Sequence, residues 1–461
     1  MTPQETVERA LALSKADGCV VVASERSETN LRWANNTLTT NGAMRSRQLA
    51  VISLVNGSAG ASVGVVERSA VTSDTVEDLV RASEQAAQDA GPAEDAAPLV
   101  EPYDNDDDWG ASPEETSTAV FGGFAPALGE AFQVAGSQRR LLFGFAEHVV
   151  TTSYVASSTG LRRRWAQPTG RFEINGKSLD LARSAWSGQY TVDFADVDVA
   201  AADAELARRL GWAKRSVELP PGRYETLLPP TSVADLMIYM YISSGARDAD
   251  DGRTVFSKPG GGTRIGDRLS ESPLTLRSDP AEPGLEAAPF VAATASFGGL
   301  VSVFDNGQSI EATDWIRAGE LANLIRPRYW ADRTGAPARP VVDNLILDGG
   351  PADRSLDAMV ASTDRGLLLT TLWYIREVDP QTLLLTGLTR DGVYLVEGGE
   401  VTAAVNNFRW NESPVALLGR AADVGTTERC LCREWNDFFT RTAMPALRVP
   451  DFNMSTVSKA F

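Results

Sequence analysis

From residue 223 onward, the sequence consists mainly of short apolar runs separated by glycine, aspartate and asparagine. Runs such as "GLLLTTLWYI" and "GVYLVEGGEV" have the length of strands, and few stretches have the spacing of an amphipathic helix. Frequent turn residues between short apolar runs are typical of antiparallel β-structure. We therefore expect residues 220–461 to form a large, mainly antiparallel β domain.

The first 92 residues combine helical and strand-like patterns. Thr2-Pro3-Gln4-Glu5 has the T-x-x-E spacing of a capping box, with proline at the first helical position. Alternating segments follow, with a hairpin signal at Asn56-Gly57, and then a helical pattern that begins after Ser73 as the predicted N-cap. This order predicts an N-terminal helix, an antiparallel meander and a second helix.

The middle of the chain contains a linker and a further unit. Residues 93–112 are rich in proline, glycine and acidic side chains, so we interpret them as an acidic linker. Residues 113–219 have two helical patterns with strand-like segments between them, which indicates a central α/β segment. The predicted fold class is α+β, with domains at 1–92, 113–219 and 220–461, in keeping with a length of 461 residues.

Composition and charge exclude several classes of ligand. The formal net charge is −18, which disfavours nucleic-acid partners, and we expect the basic run at Arg162, Arg163 and Arg164 to be a solvated strand end.

No apolar run reaches the roughly 18 residues of a membrane span. The capping box at the start predicts a mature N-terminus, and three sparse cysteines indicate a reducing compartment. We therefore expect a cytoplasmic protein.

The residues that could carry catalysis are few. A Ser-His-Asp arrangement would need the single histidine, His148, which lies in the strand-like segment "FAEHVVTTSYV" and is interpreted as structural. Cys430 and Cys432 are spaced C-x-C, but zinc requires three or four protein ligands, so we interpret both as buried thiols. We assign no catalytic and no metal-binding residue.

A series of longer motifs points to a known family. The segments "YIREVDPQT", "TGLTRDG", "YLVEGGE" and "NNFRWNESP" follow one another, and "MPALRVPDFNMSTVSKAF" closes the chain. Together with "TNLRWANNTLTTNGAMRSR" and "SYVASSTGLRRRW", they resemble the TldD/PmbA peptidase family, and its TldE (PmbA) branch more than its TldD branch. The resemblance extends over nearly the whole chain.

The resemblance also implies where zinc would be bound. In this family, TldD proteins carry a zinc-binding H-E-x-x-x-H helix and a cysteine ligand near the C-terminus. Here the corresponding region reads "TSVADLMIYMYISSGARDADDG", and the helix expected over residues 233–241 contains neither histidine nor glutamate. The resemblance therefore implies a branch that lacks the zinc-binding motif, with no cofactor in this chain.

The implied function is that of a metal-free, non-catalytic subunit of a TldD/TldE metallopeptidase complex that processes small or unfolded peptides. Zinc would be bound by a TldD-like partner in a heterodimer, and this chain alone would be inactive. Two alternatives stay open. The chain could be a stand-alone peptide-binding homodimer of the same fold, or an enzyme that uses Cys430 and Cys432 or His148.

The segment "NNFRWNES" is the candidate for contact with peptides. In an extended segment, Asn407, Arg409 and Asn411 point to one face, and Phe408 and Trp410 point to the other. Inward aromatic rings would hold the polar face rigid, and the guanidinium could bind a carboxylate through two parallel hydrogen bonds. The alternative is that these polar side chains only satisfy neighbouring loops.

Overall fold

The computed structural model of the chain describes residues 1–103, 106, 108–351, 353–390 and 392–458. The helices are α1 (Pro3–Leu13), α2 (Val76–Asp89), α3 (Phe124–Ser137), α4 (Val199–Trp212), α5 (Pro230–Ile242), α6 (Ala246–Asp250), α7 (Arg328–Thr334), α8 (Leu356–Ala361) and α9 (Pro414–Leu418). Short 3-10 helices lie at Thr118–Phe121 and Val303–Asp305.

The strands of the first half are β1 (Gly18–Ala34), β2 (Thr37–Gly57), β3 (Gly60–Ser69), β4 (Arg140–Ser157), β5 (Arg162–Ser178) and β6 (Ser184–Thr191). Those of the second half are β7 (Ser216–Val217), β8 (Gly222–Leu228), β9 (Thr275–Ser278), β10 (Thr313–Arg317), β11 (Glu320–Leu321), β12 (Leu345–Asp348), β13 (Arg365–Leu369), β14 (Trp373–Asp379), β15 (Leu384–Leu388), β16 (Val393–Glu397), β17 (Glu400–Val405), β18 (Phe408–Glu412), β19 (Asp423–Cys430) and β20 (Thr442–Val457).

The predicted capping box is present at the start of α1. The Thr2 hydroxyl accepts a hydrogen bond from the backbone N–H of Glu5 at 3.2 Å, and the Thr2 N–H donates to the Glu5 carboxylate at 2.9 Å. The second helix differs from the prediction, because α2 begins at Val76 rather than after Ser73. The Ser73 hydroxyl donates to Asp74 instead of accepting from the first turn of the helix.

The hairpin between β2 and β3 also turns at a different place from the prediction. Gly57 pairs with Gly60, so the two turn residues are 58 and 59, and Asn56 still pairs with Ala61 in the ladder. The carboxylate of Asp17 accepts the backbone N–H of Asn56 at 2.7 Å, which holds this residue in the extended strand. The turn therefore lies two residues beyond its predicted position.

The strands β1–β6 form one antiparallel sheet in the order β3-β2-β1-β4-β5-β6. The strand β1 pairs with β4 from Val20–Ser157 to Trp33–Gly144, so residues 1–92 and residues 113–219 both contribute to this sheet. The boundaries at 1–92, 93–112, 113–219 and 220–461 stay predictions.

The apolar run at the start of β1 is buried on both faces of this sheet. Cys19 and Val21 belong to a core cluster with side chains of α1 and α2, whereas Val20 and Val22 pack in a cluster with Phe304 from the second half of the chain. Successive side chains of a strand point to opposite faces, so a continuous apolar run is expected where both faces are covered.

The helices α3 and α4 cover the other end of the sheet. Their apolar side chains share a core cluster with Trp33 and Phe172. The ring of Trp33 lies directly on the backbone of β4 at Gly144, where an added Cβ would be 2.3 Å from a ring carbon. Any larger residue at position 144 would displace the indole, so the packing of this end requires glycine.

The strands β7–β20 form a second, mixed sheet. The pairs β12–β20, β8–β13 and β7–β17 are parallel, and the remaining pairs between these strands are antiparallel. The strand β20 pairs with β8, β12, β18 and β19 and forms the centre of this half. The α+β fold class, with a large and mainly antiparallel C-terminal sheet, is confirmed.

The two sheets meet at a small apolar cluster. Trp186 and Tyr190 of β6 pack there against Leu285, Ile346 and Leu431, and the cluster is completed by Ala443. Within the described ranges, no helix has the length and apolar character needed to cross a membrane.

Candidate functional site

The helix α5 contains residues 233–241, where the sequence predicts a helix, and it occupies the core of the second half. Proline at the first helical position starts it, and the following residues are apolar apart from a few small or polar side chains. Its side chains are buried on almost every side, which is why the helix is hydrophobic all round instead of amphipathic. Asp235 is the single charged residue of this helix.

The carboxylate of Asp235 is fully buried and binds the segment that follows β19. It accepts backbone N–H bonds from Glu434 at 2.8 Å and from Arg433 at 3.3 Å. The indole N–H of Trp435 donates to the Asp235 backbone carbonyl at 2.9 Å. Burial raises the pKa of Asp235 to about 8, although the two backbone hydrogen bonds favour the charged form.

Both C-terminal cysteines are buried close to this carboxylate, in agreement with the prediction of buried thiols. The thiol of Cys432 donates to the backbone carbonyl of Phe439 at 3.0 Å, and Cys430 lies 3.4 Å from the Thr442 hydroxyl. Burial raises the pKa of the Cys430 thiol to about 12 and that of Cys432 well above its ordinary value, and the Asp235 charge adds to both effects.

These residues do not fit a catalytic zinc ion. Zinc binds deprotonated thiolates, carboxylates or neutral imidazoles, and catalytic sites use three of them. Here the surroundings favour protonated thiols, and both oxygens of Asp235 already accept backbone N–H groups. In the described part of the chain, no three His, Cys, Asp or Glu side chains lie together in a way that could hold a metal ion.

The segment 433–436 joins several elements at this point. The guanidinium of Arg433 reaches Glu173 of β5 at 3.1 Å, and the Glu434 carboxylate accepts the N–H groups of Tyr374 and Ile375 in β14 at 3.0 Å. Asn436 accepts from Arg171 of β5 at 2.8 Å. Through Asp235, α5 therefore positions side chains that contact both sheets.

His148 lies far from this segment, in β4. Its Nε2 is 2.8 Å from the backbone carbonyl of Val192, and its Nδ1 is 2.7 Å from the Thr116 hydroxyl. Burial lowers the pKa of His148. A neutral ring that donates through Nε2 and accepts through Nδ1 satisfies both contacts. This geometry agrees with the structural interpretation of His148, because both nitrogens already have partners.

The alternation predicted for β18 is present. Phe408 and Trp410 are fully buried, Arg409 is exposed, and Asn411 is partly exposed. The Thr386 hydroxyl of β15 links two of the predicted residues, since it lies 3.4 Å from the Arg409 guanidinium and 3.2 Å from the Asn411 side-chain oxygen.

Asn407 precedes β18, and its carbonyl accepts the N–H of Ser458 at 2.8 Å. The Asn411 side-chain oxygen also accepts from the Ser455 hydroxyl at 2.9 Å. Polar groups on this face therefore contact neighbouring segments, which is what we expect if these side chains only satisfy the hydrogen bonds of their surroundings. These contacts leave the Arg409 guanidinium exposed, so the peptide-binding role of Asn407, Arg409 and Asn411 stays a prediction.

Asp235 and Arg433 are the residues that sequence reasoning missed. A carboxylate inside the apolar run "SVADLMIYMYI" is a signal in itself, because an unpaired charge is rarely buried. Arg433 follows directly after Cys432 and carries no comparable signal, because its partners come from β5 and α5.

The C-terminal half of the chain matches a known protein family. Residues 221–456, just over half of the chain, match the family model described as the PmbA/TldA metallopeptidase C-terminal domain. The chain therefore belongs to the TldD/PmbA family. By sequence, no curated protein matches it.

Solved structures with the same fold cover almost the whole chain. TldE from Thermococcus kodakarensis has a TM-score of 0.78 at 15% identity, over 98% of this chain and 99% of that one. A protein from Bacteroides thetaiotaomicron, described as a candidate modulator of DNA gyrase, has a TM-score of 0.76 at 15% identity, over 99% and 98% of the two chains. A Thermotoga maritima protein with a similar description has a TM-score of 0.74 at 17% identity, over 98% and 99%.

Proposed function

We propose that this chain is the metal-free, non-catalytic subunit of a TldD/TldE-type metallopeptidase complex that processes small or unfolded peptides. The observation that carries the proposal is the set of donor groups on α5. The helix offers one buried carboxylate, which already accepts two backbone N–H groups, and no imidazole. In the proposed complex a TldD-like partner supplies the zinc, and this chain contributes to the substrate chamber and supports the zinc subunit.

Family membership supports this proposal, and so does the structural similarity to a protein named TldE. The partner is proposed to form a heterodimer with this chain, which forms a homodimer when it is alone. Peptides are the proposed substrates of the complex, since a net charge of −18 disfavours nucleic acid. The proposed location is the cytoplasm.

The exposed side of β18 is proposed to contact the peptide. Its support is the exposed Arg409 guanidinium beside the Asn411 amide, on a strand whose aromatic side chains are buried on the other side. Arg409 would bind a carboxylate or a backbone carbonyl of the peptide, while Asn407 and Asn411 would add amide hydrogen bonds.

The test is co-expression of this chain with a TldD-like protein that carries the H-E-x-x-x-H motif. We expect the two chains to purify together, to contain zinc and to cleave an unstructured peptide. This chain alone is expected neither to bind zinc nor to cleave the peptide. A complex in which the motif glutamate of the partner is replaced serves as the control and should assemble without cleaving. Stoichiometric zinc on this chain alone, lost in Cys432→Ser, would contradict the proposal.

The same experiment distinguishes the heterodimer subunit from the alternative of a stand-alone homodimer. If this chain remains a homodimer that binds peptides and never associates with the zinc-binding protein, it is a peptide-binding protein without a hydrolase partner. Sedimentation of each chain alone and of the mixture measures this directly.

A further inference from the structure

A cavity of about 340 Å³ lies where the edge of the first sheet meets the second half of the chain. Its walls include Asn175, Lys177, Trp186, Trp373, Arg390 and Arg433. Three of these side chains are cationic, and none of the described lining residues is acidic. In a chain with a net charge of −18, a concave site with this lining is a local exception.

The register of the first sheet explains one wall. Asn175 pairs with Phe143 on one side and with Trp186 on the other, and Lys177 pairs with Ser184 in β6. Residues two apart in a strand point to the same face, so Asn175 and Lys177 face the cavity together. This wall therefore combines aromatic rings with an amide and an ammonium group.

The opposite wall comes from β14 and from the segment after β19. Arg433 lies between two indoles, with its guanidinium carbon 4.3 Å from the ring centre of Trp373 and 5.1 Å from that of Trp186. One of its nitrogens binds Glu173 at 3.1 Å, and Trp186 donates to the same carboxylate at 3.0 Å. The stacking and the ion pair with Glu173 fix the orientation of the guanidinium.

Two donors near the cavity differ in whether a ligand can reach them. The indole N–H of Trp373 is buried and has no hydrogen-bond partner in the described structure. The ammonium of Lys177 lies 5.5 Å from the centre of the Phe143 ring and makes no ion pair with any residue that the structure describes. The Trp373 N–H has no surface that a ligand could contact, whereas the partly exposed Lys177 side chain lines the cavity and offers a cation to a ligand with hydrogen-bond acceptors.

We propose that this cavity binds the carboxylate of a small ligand whose remaining part packs between the aromatic walls. Lys177 supplies the charge, the Asn175 amide donates one hydrogen bond, and the oriented Arg433 guanidinium contributes further donors. A singly charged carboxylate fits better than a phosphate dianion, because Glu173 lies directly beside Arg433. The carboxylate could belong to a peptide C-terminus or to a free organic acid.

The site uses side chains of this chain alone. It deepens the proposed function if the ligand is a peptide, but binding is expected whether or not a zinc subunit assembles. The test is therefore isothermal titration calorimetry on the isolated full-length chain. The probes are N-acetyl-Ala-Ala-Phe with a free carboxylate, the same peptide as its C-terminal amide, benzoate, and inorganic phosphate.

We expect the free-carboxylate peptide to bind about tenfold or more tightly than its amide, because the amide loses the charge-assisted contacts. Lys177→Ala is expected to weaken binding of the acid to a similar extent. Asn175→Ala removes the amide donor, and we expect it to weaken binding about threefold or more. Lys214→Ala, which removes an exposed lysine outside the cavity, is the matched control and should leave binding unchanged.

Peptide binding with weaker benzoate binding would identify a peptide terminus, and the reverse order would identify a free acid; both support the site. The proposal is wrong if acid and amide bind equally, if none of the carboxylates binds, if phosphate binds most tightly, or if Lys177→Ala and Lys214→Ala behave alike. Unchanged melting temperatures of the variants establish that they are folded. Because no cleavage is measured, failure here is distinguishable from failure of the subunit proposal.

Discussion

Asp235 is a residue at which burial outweighs hydrogen bonding. Burial is the largest effect on its pKa, the backbone N–H groups of Glu434 and Arg433 oppose it, and the charges of these two side chains act in opposite directions. The folded-state pKa of about 8 lies above the ordinary value of 3.8, so the folded chain binds this proton more tightly than the unfolded chain. Its contribution to stability is therefore complete below the unfolded pKa and is lost as the pH rises through the folded pKa.

Asp235→Asn tests this, because asparagine cannot ionise and keeps an acceptor for one of the two backbone N–H groups, while loss of the other acceptor lowers the stability by an amount that does not depend on pH. Between about pH 4 and about pH 8, the stability of the variant relative to the native chain is expected to rise by on the order of 1.4 kcal/mol per unit of pKa shift. Thermal unfolding over this range measures it. Asp364→Asn, at an exposed aspartate, is the control, and identical pH profiles for the three proteins would contradict the assignment.

Arg409 and Asn411 allow a second residue-scale prediction, which rests on the proposed function. In the assembled complex, Arg409→Ala is expected to reduce peptide turnover by about tenfold, and Asn411→Ala by less, because a charge-assisted hydrogen bond is the stronger contact. Arg68→Ala, at an exposed arginine of β3, is the matched control. Unchanged turnover in an intact complex would assign this face a structural role.

At the scale of elements, α4 is attached to the first sheet through a buried ion pair. Arg140 of β4 binds Asp203 of α4 through two nitrogens, at 2.5 and 2.8 Å, and the two side chains are only 8% and 6% exposed. Gln138 accepts two further hydrogen bonds from the same guanidinium. A bidentate pair in this geometry fixes the orientation of the helix on the strand.

Removing one partner of this pair leaves a buried charge without compensation. Asp203→Ala is expected to destabilise the chain by about 3–5 kcal/mol, whereas the double replacement Arg140→Met with Asp203→Leu is expected to be much closer to the native stability. Denaturant unfolding of the native chain and both variants measures the difference. If the double variant is as unstable as Asp203→Ala, the ion pair contributes to stability beyond the mutual compensation of its two charges.

At the scale of the whole molecule, the apolar cluster around Leu431 connects the two sheets. Leu431 is fully buried and packs in this cluster with Trp186 and Tyr190 of β6 and with Ile346 of β12. Ion pairs surround the cluster, among them those of Arg433 with Glu173 and of Arg429 with Asp196 at 3.2 Å. The two sheets thus share both an apolar contact and a polar one.

Leu431→Ala is expected to cost about 2–5 kcal/mol, because it leaves a cavity in a shared cluster. Its effect should reach both sheets, so hydrogen exchange should accelerate in β5 and β6 as well as in β20. The control is Leu274→Ala, at a fully buried position within the core of the second half, which should accelerate exchange there more than in β5 and β6. Acceleration confined to the second half in both variants would mean that the sheets unfold independently.

Much of the fold followed from local pattern. The spacing of Thr2 and Glu5 predicted the start of α1, and alternation predicted the inward Phe408 and Trp410 with the outward Arg409. These features depend on the period of a helix or strand, which can be read from a few consecutive residues.

The basic run lies at the start of β5, as the prediction of a strand end requires, but the predicted solvation was wrong. Arg163 and Arg164 are buried and not solvated, because Arg163 pairs with Asp106 at 3.3 Å and Arg164 pairs with Asp108. Arg163 also lies over the ring of Phe290, which comes from the second half of the chain. A run of like charges predicts exposure only when no opposite charges fold onto it, and the sequence near the run contains no sign of these partners.

The sequence by itself determined the start of α1, the alternation in β18, the family and the absence of any second histidine, because these depend on neighbouring residues or on composition alone. Only the tertiary structure decided that β1 pairs with β4, that Asp235 binds the segment after β19, and that Lys177 and Trp373 face one cavity. Such contacts join residues that are distant along the chain. These contacts depend on which apolar faces can be buried against each other. Local periodicity shows which side chains share a face, but it does not show which other element packs against that face.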